Sequence, residues 1–247
     1  MNRRFEEKVV LVTGSATGVG EGIARRAASE GASVVIHGLE IELGEQVAAE
    51  TGGIFVAGDL VDPSVPERLV AAAIDRFGRL DGLVNNAAVS WRGGLDSPVD
   101  LYDQIMAINA RAPFLLVQAA HPHLKATRGG IVNIGSVHAN RGSAGLLPYA
   151  MSKAAMANMT KTLAEPLSAE GIRINQLNLG WTLTPNEQAL VAKSNGWEDD
   201  WPARMGEKMP FGRLLSPEDV AAAACFLLSA EGSMITGQVW GMDQRPH

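Results

Sequence analysis

The stretch Val9-Val-Leu-Val-Thr-Gly14-Ser-Ala-Thr-Gly18-Val-Gly20 decides the fold of this chain. It reads as a buried apolar strand, a glycine-rich turn and the opening of a helix. Glycine admits positive φ and lets a ligand approach the backbone closely. A helix N-terminus adds unpaired N–H groups and a partial positive charge. The segment therefore suits an anionic group such as a pyrophosphate, cradled by Gly14, Thr17, Gly18, Val19 and Gly20. The spacing is G-x-x-x-G-x-G rather than the commoner G-x-G-x-x-G, so its place directly after the first strand carries the reading.

Working outward, apolar runs predict strands at Val9–Val12, Ser33–Ile36, Ile54–Val56, Leu83–Asn85, Ile131–Ile134, Ile174–Leu177 and Gln238–Trp240. Most lack polar alternation, as expected of a parallel sheet covered on both faces. Helical patterns separate them at Gly20–Glu30, Leu43–Thr51, Ser64–Phe77, Leu101–Lys125, Tyr149–Glu170 and Pro217–Leu228. Ser216 before Pro217 and Asp219 is a helix start signal. Alternating strands and helices predict a doubly wound α/β Rossmann-type sheet of about seven strands with helices on both faces, over residues 1–247 as one domain. The segment from Thr184 to Leu215 breaks the rhythm. It holds Pro185, Pro202, Pro210, Trp197, Trp201 and the acidic run Glu198-Asp199-Asp200, and reads as a lid over a pocket at about 184–215.

Composition narrows the function. The formal net charge is −6 and no basic block stands out, which argues against a nucleic-acid partner. The polar N-terminus and its short apolar run suit neither a signal segment nor a membrane span, so a soluble cytoplasmic protein is expected. The single cysteine, Cys225, excludes an intrachain disulfide and reads as a core residue. The five histidines are scattered, and no metal is expected.

Tyr149-Ala-Met-Ser-Lys153 places a phenol and an ammonium at i and i+4, on one face of a helix. A fixed cation beside a phenol favours the phenolate, and such a pair can move a proton to or from an alcohol oxygen. Asp59-Leu60 follows the third predicted strand and can meet an adenine. Asn85-Asn86-Ala87 follows the fourth, where the crevice of such sheets opens.

Together, Gly14, Gly18, Gly20, Asp59, Asn86, Ala87, Asn109, Ser136, Tyr149 and Lys153 stand in an order and spacing that resembles the short-chain dehydrogenases/reductases of about 250 residues. The resemblance covers essentially the whole chain. It implies an oxidoreductase that interconverts an alcohol and a carbonyl by hydride transfer with NAD or NADP. In that resemblance Tyr149 is the general acid/base, and Lys153 holds the nicotinamide ribose and lowers the Tyr149 pKa. Ser136 binds the substrate oxygen, and Asn109 interrupts its helix and anchors a relay water. Gly180, Leu183 and Thr184 become nicotinamide contacts, although Leu179-Gly180 replaces the family's Pro-Gly. The resemblance also implies a homo-oligomer, tetramer or dimer, joined through the helices at Leu101–Lys125 and Tyr149–Glu170. The alternative function is a catalytically silent regulator that senses the dinucleotide on the same fold.

The cofactor choice turns on the second strand's end, His37-Gly38-Leu39-Glu40. Gly38 stands at the position of a ribose-binding carboxylate and Leu39 at that of a phosphate-binding arginine. Neither rule is met, but the region holds Glu40 and Glu42 and no Lys or Arg, which favours NAD and leaves NADP open. His37 can stack near an adenine, but the simpler reading is a partly exposed strand-end residue. Around the reactive carbon the candidates are Trp91, His138, Trp181 and Asn186, with Ser90, Arg92, Asn140 and Glu187 nearby. Amides, carboxylates and indole faces suit a sugar, polyol or hydroxy acid.

Overall fold

The computed structural model describes residues 3–195, 198 and 200–244. Seven parallel strands form one sheet in the order β3-β2-β1-β4-β5-β6-β7. They are β1 Val9–Val12, β2 Ser33–Gly38, β3 Ile54–Ala57, β4 Gly82–Asn85, β5 Gly130–Ser136, β6 Arg173–Leu179 and β7 Val239–Met242. Each lies where the apolar runs place it, and β2, β5, β6 and β7 run two residues further at their C-terminal ends. The helices are α1 Gly18–Ser29, α2 Ile41–Thr51, α3 Val65–Phe77, α4 Val99–Met106, α5 Ala112–Thr127, α6 Leu147–Ala169, α7 Pro185–Asn195, α8 Trp201–Gly206 and α9 Pro217–Leu228.

Alternate strand residues feed two cores. Val10, Val12, Val34 and Ile36 meet Ile23 and Ala27 of α1, Val47 of α2, and Val220 and Leu227 of α9. On the other face Val9, Leu11, Val35 and Leu83 meet Leu69 of α3, Leu116 and Leu124 of α5, and Leu167 of α6. Burying each such side chain contributes roughly 1.5–3 kcal/mol, which explains the unbroken apolar runs. Ser216 and Asp219 close a reciprocal capping box at the start of α9, as the sequence predicts. Cys225 is buried in the first core, which pushes its thiol up to about 12. Among the described residues, no helix is long and apolar enough to cross a membrane.

One patch beneath α6 departs from the apolar rule. The Asn85 side-chain amide donates to Asn133 Oδ1 at 2.8 Å, and the Asn133 amide donates to Thr160 Oγ1 at 2.8 Å. The Thr160 hydroxyl reaches Gln176 Oε1 at 3.3 Å, and the Gln176 amide donates to Asn178 Oδ1 at 2.7 Å. All five residues are buried. An apolar reading of β5 and β6 does not anticipate this polar ladder.

The predicted helix Leu101–Lys125 is corrected to α4 and α5, joined by a π-helical turn at Ala107–Arg111. The chain widens around Asn109 rather than breaking. The segment 184–215 contains α7 and α8. Trp197 and Asp199, named within that segment, lie outside the described residues, as does the Arg245-Pro-His247 tail.

Candidate active site

The strand order reverses between β1 and β4, so a crevice opens at their C-terminal ends. Thr13 Oγ1 there accepts the N–H groups of Asn86 and Ala87 at 3.0 and 3.1 Å. The Asn86 side-chain amide donates to the carbonyls of Thr13 and Gly14 at 2.8 and 2.9 Å. Gly14 takes a φ of +60°, and a Cβ on Gly20 would stand 2.2 Å from the Gly14 carbonyl oxygen. The turn's own packing therefore dictates the glycines. Thr17 precedes α1 in extended conformation without a side-chain cap, which leaves the helix N-terminus to other partners.

His37 corrects the sequence reading. It is 3% exposed, not partly exposed. The Gly14 N–H donates to its Nδ1 at 3.1 Å, and its Nε2 lies 3.0 Å from the Gly58 carbonyl oxygen. Only the neutral tautomer protonated at Nε2 satisfies both. Burial pushes its pKa below the usual histidine value. The ring is a buried strut under the glycine turn.

A cleft of about 420 Å³ lies over this turn. Gly14, Thr17, Gly18, Val19, Gly38, Asp59, Leu60, Asn86, Ala87, Thr184 and Asn186 all line it, as do His37, Glu40 and Glu187. Gly38 packs against the Ala16 methyl, where a Cβ would come within 2.9 Å. Thr184 overhangs Gly18, its methyl 3.4 Å from where a Cβ would be. Gly20 sits beneath the turn, Gly180 against the Asp243 side chain, and Leu183 in a small separate core.

The chemistry-bearing side chains gather beside this cleft. Ser136 ends β5, and its Oγ accepts the His138 N–H at 3.2 Å. Tyr149 lies in the first turn of α6, and the Ser136 side chain stands near enough to its phenol to draw the pKa down. One turn on, Lys153 Nζ is 5.8 Å from the Tyr149 ring centroid and donates to the Ile134 carbonyl at 2.8 Å. Asn109 is fully buried, and its Oδ1 accepts the Val89 N–H at 2.9 Å. Its amide donates to the Val89 carbonyl at 2.9 Å and to Ser152 Oγ at 3.1 Å. The Ser152 hydroxyl in turn donates to the Tyr149 carbonyl at 2.7 Å. Asn109 thus ties the loop after β4 to the first turn of α6.

Burial pushes Lys153 down to about 7. Burial also raises the Tyr149 pKa, against the Ser136 hydrogen bond and with help from the Glu187 carboxylate. This corrects the expected lowering by Lys153. In this structure desolvation dominates, and the ammonium sits against a backbone carbonyl instead of the phenol oxygen.

The substrate candidates divide. His138 meets the Tyr149 ring edge-on at 6.3 Å, and burial and the Arg141 cation lower its pKa. Asn186 lines the cleft. Trp91 is 42% exposed and Trp181 does not line the cleft. Trp181 stacks on buried Trp201 at 5.3 Å, and its indole N–H donates to Glu187 Oε1 at 2.8 Å. Arg141 pairs with Asp243 at 3.5 Å. Sequence reasoning considered His37 beside an adenine but missed its place as a strut under the glycine turn, for which its position at the end of β2 was the available signal.

This sheet, glycine turn and hydroxyl–phenol–ammonium set define a dinucleotide-dependent oxidoreductase. A family model described as enoyl-(acyl carrier protein) reductase matches residues 14–244. The chain is 34% identical to 2-(S)-hydroxypropyl-CoM dehydrogenase 3 of Xanthobacter autotrophicus, covering 98% of each. It is 33% identical to meso-2,3-butanediol dehydrogenase of Serratia marcescens, over 95% of this chain and 92% of that one. It is 36% identical to L-fucose dehydrogenase of Bos taurus, over 96% and 88% respectively. The chain belongs to the short-chain dehydrogenase/reductase family. It is an oxidoreductase of CH–OH groups in a family that uses nicotinamide cofactors.

Proposed function

We propose that this protein is an NAD-linked dehydrogenase of polyhydroxylated alcohols, with Tyr149 as its general acid/base. The observation that carries the reading is the gathering of Ser136 at the end of β5, Tyr149 in the first turn of α6 and Lys153 one turn on, with Lys153 Nζ 5.8 Å from the phenol ring centroid. A dinucleotide fits what surrounds it. Gly14 and Gly18 line the cleft with bare backbone, the N-terminus of α1 is uncapped by a side chain, and the cleft runs from Asp59 to Thr184. Gly14, Thr17, Gly18 and Val19 would hold the phosphates, Asp59 and Leu60 the adenine, and Asn86, Ala87, Gly180, Leu183 and Thr184 the nicotinamide end. When bound, the cofactor accepts or delivers the hydride. The protein's residues do the rest. Ser136 holds the substrate oxygen and Tyr149 takes or gives its proton. Lys153 binds ribose hydroxyls, and Asn109 fixes the first turn of α6 that carries the phenol.

NAD is favoured because Glu40 and Asp59 line the adenosine end of the cleft and, among the described residues, no Lys or Arg lines the cleft. A ribose 2′-phosphate there would lack the cation that usually binds it. Residues 184–215 act as the lid. Exposed Phe114 on α5 and Met151 on α6 support a homo-oligomer through these helices. Cytoplasmic location remains part of the proposal.

An activity screen over sugars, polyols and hydroxy acids with NAD and NADP in parallel tests the reading. NADH formation is expected, with NADP the poorer cofactor. Tyr149→Phe should cost about 10²–10⁴-fold in turnover with cofactor affinity intact. A variant that keeps most of its activity refutes the assignment.

A further inference from the structure

Glu187 is the carboxylate of the cleft that the glycine turn does not explain. It sits in the first turn of α7, and its backbone N–H donates to Thr184 Oγ1 at 3.1 Å. Its Oε1 accepts the Trp181 indole N–H at 2.8 Å. Trp181 is itself fixed by its stack on Trp201, which is 1% exposed. The side chain is therefore held in one place on the cleft wall, beside Asn186 and Thr184. Its second oxygen is not used by Trp181. No ion pair to Glu187 occurs among the described residues.

The charges around the reacting end leave this one uncompensated. Arg141 is engaged with Asp243 at 3.5 Å. Lys153 is turned to the Ile134 carbonyl, and the lowered pKa of His138 keeps that ring neutral. The Glu187 charge is felt at the phenol, where it adds to the raised pKa of Tyr149. A rigidly held carboxylate accepts short, charge-assisted hydrogen bonds from hydroxyl groups, and it repels another carboxylate.

We infer that Glu187 is a specificity-determining residue, whose free carboxylate oxygen accepts a second hydroxyl of a neutral diol, polyol or sugar and turns away hydroxy acids. The inference rests on Tyr149 as the reacting end, and it removes the anionic members of the substrate class suggested by composition. A substrate with two hydroxyls is gripped at Ser136 and Tyr149 by the one that reacts and at Glu187 by the other.

Glu187→Gln isolates the charge, because the amide oxygen still accepts the Trp181 N–H. Three compounds are compared on wild type and variant: the best polyol of the activity screen, its analogue lacking one hydroxyl, and its analogue bearing a carboxylate. The expected result is a 10–100-fold fall in kcat/KM for the polyol, carried by KM. The deoxy analogue should change by less than threefold, and the acid should improve at least tenfold. The kinetic pKa assigned to Tyr149 should fall in the variant. Equal effects on all three compounds, or an unmoved pH profile, overturn the inference while leaving the oxidoreductase reading standing. A wild-type protein that turns over no alcohol, or a fully active Tyr149→Phe, overturns both.

Discussion

The two walls of the cleft are made differently. One is the edge of the sheet, where Asn86 grips Thr13 and Gly14, His37 props the Gly14 N–H, and Gly20 has no room for a methyl. The other is the excursion after β6, which packs on itself. Trp201, Val191, Met209 and Leu214 form its own small core, with Trp181, Leu183 and Met205 against it. Its two ends are pinned together, since Leu183 N–H donates to Leu215 O at 2.8 Å and Leu215 N–H to Trp181 O at 3.1 Å. A wall continuous with the main core can hold a ligand in fixed register. A wall with its own core and adjoining ends can open as a unit at far less free energy than global unfolding.

The sharpest way to break that contrast is Trp201→Ala. Emptying the small core should cost about 3–5 kcal/mol, confined to residues 181–215. Amide exchange should rise there and stay slow in β1, β4 and β5. Equal loosening of the sheet would mean the two walls are one cooperative unit. Gly20→Ala tests the crowded wall, where over-packing should destabilise by about 3 kcal/mol and weaken dinucleotide binding. Gly212→Ala is its counterpart in the excursion. Gly212 has a φ of +72° and open space around it, so the change should cost only about 1 kcal/mol. Thermal melts of the two variants read the difference, and equal shifts would erase it.

Lys153 shows what the rigid wall imposes. Its folded pKa of about 7 lies below the ordinary 10.5, so the charged form is disfavoured by folding. The resulting cost is absent above pH 10.5, grows as pH falls towards 7 and is complete below that. Lys153→Met should therefore abolish turnover and yet stabilise by about 2 kcal/mol at pH 6, with the gain vanishing near pH 10. A variant less stable at pH 6 than wild type would show that the Ile134 hydrogen bond outweighs burial. The smallest effect concerns His37, whose pKa burial lowers from 6.5. Its contribution is complete above pH 6.5 and is lost as pH falls through the folded value, when a protonated Nδ1 no longer accepts the Gly14 N–H. Stability should decline as pH falls below 6.5, and His37→Gln should flatten that decline in pH-dependent melts. A slope unchanged in the variant assigns the effect elsewhere.

The rigid wall was the legible one. Buried parallel strands are continuous apolar runs, so β1 to β7 can be placed from sequence, and the i, i+4 spacing of Tyr149 and Lys153 needs only a helix. Their proximity to Ser136 follows from β5 ending beside α6. The excursion was not legible, because α7 and α8 pack on a local core with no strand or heptad pattern to announce it. The wiring of His37 was hidden too, since it depends on Gly14 and Gly58 arriving from other strands. The raised Tyr149 pKa escaped because a neighbouring cation is visible in sequence and desolvation is not. The π turn at Ala107–Arg111 has no periodicity of its own, although the disturbance at Asn109 was foreseeable.

The polar ladder under α6 has a consequence for where the phenol stands. Thr160 lies about 16 Å further along the helix axis than Tyr149, at ~1.5 Å per residue. Asn133 donates to it from β5, and its own hydroxyl reaches Gln176 on β6. Were α6 to advance by a turn or roll about its axis, these amides would be stranded, at roughly 1–3 kcal/mol each. Side chains that meet neither substrate nor cofactor thus index the helix and set the aim of its proton donor from a distance.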